Sequence, residues 1–242
     1  MPDPRFEVRV DPAVHARHPD YVALVVLASG VANGPSDAHS DAQLAAAEAH
    51  LRGSGLQRAT DHPHIAAWRA AFSAFGAKPS RYPSSAEALI SRVLKGQPLP
   101  RVNALVDLYN AISVRHVVPL GGEDADRLEG ALHLTVAAGD EPFDPRDDGV
   151  DTEHVAAGEV VWRDDRGVTC RRWNWRQGRR TQLTEDSTCA FFVFDRLDGL
   201  TVGELHDAAD ELSSLLLDRW PDSRIHEVEL RAPHHDPEEH DG

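Results

Sequence analysis

The sequence predicts an α+β fold on three observations. A chain of 242 residues with 41% apolar and 27% charged side chains buries a sizeable core without cross-links. Short apolar or alternating runs of strand length are interspersed with longer segments whose apolar residues recur every three or four positions. Only two cysteines are present, Cys170 and Cys189, which excludes a disulfide scaffold and suits a reducing compartment. No run approaches the ~18–20 apolar residues of a membrane span. The start, Met1-Pro-Asp-Pro-Arg-Phe6, lacks the basic and apolar regions of a secretory signal. The expectation is a cytoplasmic protein with one domain over residues 1–230 and a loose acidic, histidine-bearing tail from Arg231 to Gly242.

The elements follow in order. Residues 5–10 alternate apolar and polar like a half-buried strand, and Tyr21–Leu27 is an apolar run suited to a central strand. Ala38–Leu51 reads as a helix stopped by Gly53. A second helix carries Ile65, Trp68, Phe72 and Phe75 and ends at Gly76, because the prolines of Lys78–Pro83 bar helix there. Ser84 and Glu87 have capping-box spacing and open a helix to about Lys95. Another helix is expected from near Pro100 to His116. Leu132–Ala137, Gly158–Arg163, Gly167–Trp175 and Cys189–Asp195 read as strands, with Asp164–Gly167 turning the second into the third. Thr201 and Glu204 form a second capping box, opening a helix to Trp220 that Pro221 stops, and Ile225–Leu230 is a last strand.

Net charge is −15, which argues against a polyanionic partner, but the average hides a local reversal. Seven arginines lie between Arg163 and Arg180 against only Asp164 and Asp165, while acid gathers at Glu123–Asp126, Glu141–Asp151 and the tail. Three of the five tryptophans (Trp162, Trp173, Trp175) are interleaved with those arginines. In strand alternation Arg171, Trp173 and Trp175 share one face. Cations beside flat aromatic surfaces suit phosphates and stacked bases, or form a ladder covering an otherwise exposed sheet; both readings stand.

On the helix expected from Pro100, Asn103, Asp107 and Asn110 form one polar row on an otherwise apolar surface. Such a row either ties the helix to neighbouring loops or walls a polar pocket. Pro119-Leu-Gly-Gly122 could offer backbone N–H groups as an anion nest, or be a simple turn. Cys170 has no partner histidine and reads as a buried inert thiol. There is no serine elbow, phosphate loop or dinucleotide fingerprint. The histidines show no ligand spacing, so neither a metal nor another cofactor is expected; His234, His235 and His240 could bind metal only adventitiously.

Asn103-Ala-Leu-Val-Asp-Leu-Tyr-Asn110, followed after eight residues by Pro119-Leu-Gly-Gly-Glu-Asp124, resembles the editing domain of the phenylalanyl-tRNA synthetase beta subunit, its B-three/B-four module, which also occurs in freestanding proteins. Phe75-Gly76, Pro83-Ser84 with Glu87, Gly158-Glu159-Val-Val161 and Cys170–Gln177 extend the likeness to the freestanding relatives. It covers residues 65–195, and the first sixty more loosely. The resemblance implies a β-rich α+β module with helices packed on mixed sheets, whose cleft hydrolyses the ester of an incorrectly charged tRNA. Gly121 stands where the synthetase has its pocket histidine, so no imidazole role carries over. The family's hydrolysis is thought to rely on a positioned water and the tRNA's own hydroxyls, which suits a chain without an evident nucleophile.

The expected function is therefore a trans-editing aminoacyl-tRNA deacylase. Its partner is the aminoacylated 3′ end of tRNA, with no DNA and no membrane. Asn103, Asp107 and Asn110 would shape the polar wall, Gly121 and Gly122 would offer backbone donors, and Glu159 would bind the ammonium. Arg171, Trp173, Asn174 and Gln177 would hold the adenosine or aminoacyl group. The alternatives are a non-catalytic module binding tRNA ends or an amino acid, which loss of tRNA affinity in Arg171→Ala with Trp173→Ala would test, and a small-molecule aminoacyl esterase.

Overall fold

A computed structural model of the chain describes residues 7–145 and 154–232. Its order is β1 (Val8–Val10), α1 (Pro12–Arg17), β2 (Val22–Ser29), α2 (Ala38–Gly53), α3 (Pro63–Ala74), α4 (Ser85–Leu94), α5 (Ala104–His116), β3 (Leu120–Asp124), β4 (Leu132–Val136), β5 (Val160–Arg163), β6 (Val168–Arg171), β7 (Arg176–Gln177), β8 (Cys189–Arg196), α6 (Val202–Arg219) and β9 (Arg224–Arg231). The α+β class with mixed sheets stands as expected. Among the described residues no helix is long and apolar enough to cross a membrane. Arg231 belongs to the last strand; the tail beyond Ala232, with its three histidines, lies outside the described residues, as do Arg5 and Phe6 of the first expected strand and part of the Glu141–Asp151 acidic run.

Two sheets make the frame. One has the order β1-β4-β5-β6-β7, with β1 and β4 parallel; the other has the order β3-β8-β2-β9 and is antiparallel throughout. The apolar run of β2 is explained by burial on both faces. Leu24 and Val26 pack with α5 and α6, whereas Ala23 and Val25 pack with Leu134, Val160 and Trp162 of the other sheet. Helices α2, α4 and α5 share a third apolar cluster with Ile65 of α3.

Several local expectations meet a different outcome. Helix α5 begins at Ala104, not near Pro100: Asn103 has extended backbone, and its Oδ1 accepts from Val106 N at 3.0 Å as the N-cap. Ser84 caps α4, but Glu87 accepts from Arg69 at 2.6 Å, so only half of that capping box forms. The Thr201 and Glu204 box forms completely. Pro119-Leu-Gly-Gly122 is neither nest nor turn; it runs into β3, paired with β8 at the edge of its sheet. The strand expected through Trp175 stops at Arg171. Arg172 and Trp173 adopt φ of 46° and 66° and turn the chain into β7, which destroys the alternation that put Arg171, Trp173 and Trp175 on one face.

Candidate functional site

Between the two sheets, where edge strand β3 leaves room, lies a recess of ≈ 280 Å³. Its floor is aromatic. Trp173 is fully buried and makes edge contacts with Tyr21 (4.9 Å between ring centroids) and Trp68 (5.0 Å). Val106, Tyr109 and Asn110 reach it from α5; Asn174, Trp175 and Gln177 reach it from the tight β6–β7 hairpin. The Gln177 amide donates to Gly122 O at 2.7 Å, pinning the hairpin to β3. Since N–H and C=O of one strand residue face the same side, the Gly122 N–H also points away from β8. A side chain at Gly121 would meet nothing within 4 Å, whereas one at Gly122 would come within 2.8 Å of Leu183 and Tyr109.

Of the ten expected site residues, Asn110, Gly121, Gly122, Trp173, Asn174 and Gln177 line this recess, and Asn103, Asp107, Glu159 and Arg171 do not. Asn103 caps α5 and donates to Leu183 O at 3.2 Å. Asp107 accepts from Ser40 Oγ and Val102 N, both at 2.9 Å, and so ties α5 to α2. Arg171 lies wholly inside, its guanidinium gripping Glu159 at 3.1 and 2.9 Å, while the same carboxylate accepts from Arg172 N. That buried pair shapes the strained hairpin from behind; neither group faces the recess. Arg180 and Arg166 are also matched, to Asp164 and Glu129. The basic band is thus partly neutralised within the protein. What it presents near the recess is a stack in which Arg172 lies over the rings of Tyr82 (3.6 Å) and Trp175 (4.4 Å), with Arg176 on the other side of the sequence over Trp175.

Two functional candidates escaped sequence reasoning. Glu123 and Asp195, both buried, line the recess, and burial pushes the carboxyl of each up to about 7. Asp195 accepts from Tyr21 OH at 2.6 Å and from Asn174 Nδ2 at 3.1 Å. Its signal was present: an acid inside an apolar strand buried on both faces has nowhere to go but inward. Glu123 was hidden in a run that read as surface acid, as was Asp124, which is buried and accepts from Ser187 Oγ at 2.6 Å. The Cys170 thiol borders the recess, but burial raises it well above its ordinary value, so it is a poor nucleophile. Among the described residues no three His, Cys, Asp or Glu side chains gather as a metal ion would require.

A family model, described as the B3/4 domain, matches residues 67–215, more than half of the chain. The chain belongs to the B3/4 domain family. The match includes α5, β3, the β6–β7 hairpin and β8, hence the recess walls just described. A crystal structure of an N-terminal fragment of the phenylalanyl-tRNA synthetase beta-subunit from Pyrococcus horikoshii is similar to this B3/4 chain with a TM-score of 0.49 and 12% identity, over 94% of this chain and 55% of that one. The B3/4 chain therefore spans about half the length of that fragment. No curated protein sequence matches it.

Proposed function

We propose that this B3/4 chain is an aminoacyl-tRNA deacylase that hydrolyses the ester of mischarged tRNA. The observation that carries the reading is the recess itself. It combines an aromatic floor, amide groups from Asn110, Asn174 and Gln177, an edge-strand N–H at Gly122 and two proton-holding carboxyls. An activated aminoacyl ester needs little more than alignment of a water and stabilisation of the oxyanion that forms on its carbonyl oxygen. The Asn110 amide and the Gly122 N–H supply the second requirement, while the Gln177 and Asn174 amides hold the hairpin and Asp195 in place. Trp175 and Arg176 supply a surface for the terminal base and phosphates, with the buried Arg172 backing the Trp175 ring.

The test is a deacylation screen across a panel of mischarged tRNAs, with folded protein and a buffer control. Turnover of at least one ester above buffer is expected; none turned over ends the proposal. A non-catalytic binder is the second reading, favoured by the Gln177 amide, which spends its donors on Gly122 O and Thr181 O instead of facing a substrate. It predicts salt-dependent tRNA binding without cleavage. The variants for that comparison are Trp175→Ala and Arg176→Ala at the recess, because Arg171 and Trp173 are both fully buried.

A further inference from the structure

We infer that Glu123 is the proton-transferring residue of the recess, taking a proton from the attacking water and delivering it to the departing hydroxyl; this rests on the deacylase reading above. Two acids line the recess, and they are not equivalent. Asp195 has both oxygens engaged, by Tyr21 and Asn174. Glu123 has an enclosed Oε2 without a well-formed hydrogen bond among the described residues, and the charges that act on it, Asp164 and Arg180, have opposite effects and are paired with each other. The enclosed Thr169 and Thr181 hydroxyls flank this carboxyl and favour its ionised form against burial, but neither holds Oε2 in a well-formed hydrogen bond. A recess-lining carboxyl with an oxygen not held in a well-formed hydrogen bond is the setting in which a bound water finds an acceptor.

Register places this end. Glu123 is two residues from Gly121 and shares its face of β3, and the missing side chain at Gly121 leaves open space beside it. Asp195 N bonds to Pro119 O, so the two acids stand four strand steps apart, ~13 Å along the strands. They do not share a proton. A ligand lying between them meets Asp195 at one end and Glu123 at the other.

The chemistry balances. The water oxygen bonds to the ester carbonyl carbon while one of its protons moves to Glu123. Collapse of the tetrahedral intermediate breaks the acyl C–O bond, and the proton passes from Glu123 to the leaving oxygen. The amino acid departs as its carboxylate, with the second water proton released to solvent. A carboxyl held near 7 by burial is half ionised where such a base works best.

The test is single-turnover hydrolysis of the fastest substrate of the mischarged-tRNA panel between about pH 5.5 and 8.5. The wild-type rate, after subtraction of buffer hydrolysis, is expected to rise with a midpoint near 7. Glu123→Gln should lose about 100-fold or more in rate and lose that midpoint, with KM little changed. Glu123→Asp keeps the carboxyl but withdraws it by one methylene, so it should keep the midpoint at a rate about tenfold lower. If Glu123→Gln fails to fold, Glu123→Asp decides alone. An active wild type whose Glu123→Gln stays within threefold, or whose Glu123→Asp runs at full speed, overturns the role of Glu123 and leaves the deacylase reading standing. A wild type inactive on the whole panel overturns both.

Discussion

At the scale of single residues, the buried charges divide into those that build the scaffold and those that face the recess. Arg171 and Glu159 are scaffold. Glu159→Gln leaves a guanidinium inside the protein without its counter-charge, and about 3–5 kcal/mol should be lost in urea denaturation. His64 is scaffold as well. Its Nδ1 lies 2.8 Å from Val117 O, and its Nε2 accepts from Trp68 Nε1 and Leu197 N, an arrangement that needs a neutral ring. Burial lowers its pKa to about 4 against 6.5 for the free side chain. A depressed folded value in a base means that stability is full above 6.5 and drains as pH falls towards 4, because the unfolded chain takes up the proton first. The urea-stability gap between wild type and His64→Gln should therefore narrow by about 3 kcal/mol from pH 7.5 to pH 4, which separates this group from the carboxyls of opposite sign. Neither role was legible in the sequence: a histidine or an arginine carries no mark of burial until its neighbours from distant segments are known.

At the scale of elements, legibility follows how much of an element's cause is local. α6 was readable because Thr201, Glu204 and the leucine spacing all lie within it. β2 was readable because burial on both faces leaves an unbroken apolar run. β3 was not, since Gly121 and Gly122 have weak strand preference and only pairing with β8 holds them extended. The two glycines also differ in a way that spacing cannot reveal. Gly122→Ala should cost about 1–3 kcal/mol, because its methyl would press on Leu183 and Tyr109. Gly121→Ala should change the unfolding free energy in urea by no more than about 0.5 kcal/mol, because its methyl enters open space. The polar row of α5 was half legible: Asn110 reaches the recess, whereas Asn103 and Asp107 are consumed by the start of the helix and its junction with α2.

At the scale of the molecule, a net charge of −15 opposes tRNA, and the cations nearest the recess must act locally. Trp175→Ala with Arg176→Ala should weaken tRNA binding and reduce the magnitude of its slope against log salt by about 1, read by fluorescence anisotropy at several ionic strengths. An unchanged slope would place the contact elsewhere.

The recess is walled by two separate sheets, β3 and β8 on one side and the β5–β7 meander on the other. An occupant therefore bridges the two sheets beside the contacts that already join them, such as Gln177 to Gly122 and Asn174 to Asp195. Its binding energy adds directly to the cohesion between them. Amide-hydrogen protection should then rise in both sheets together when the recess fills, even in β2, which touches no ligand.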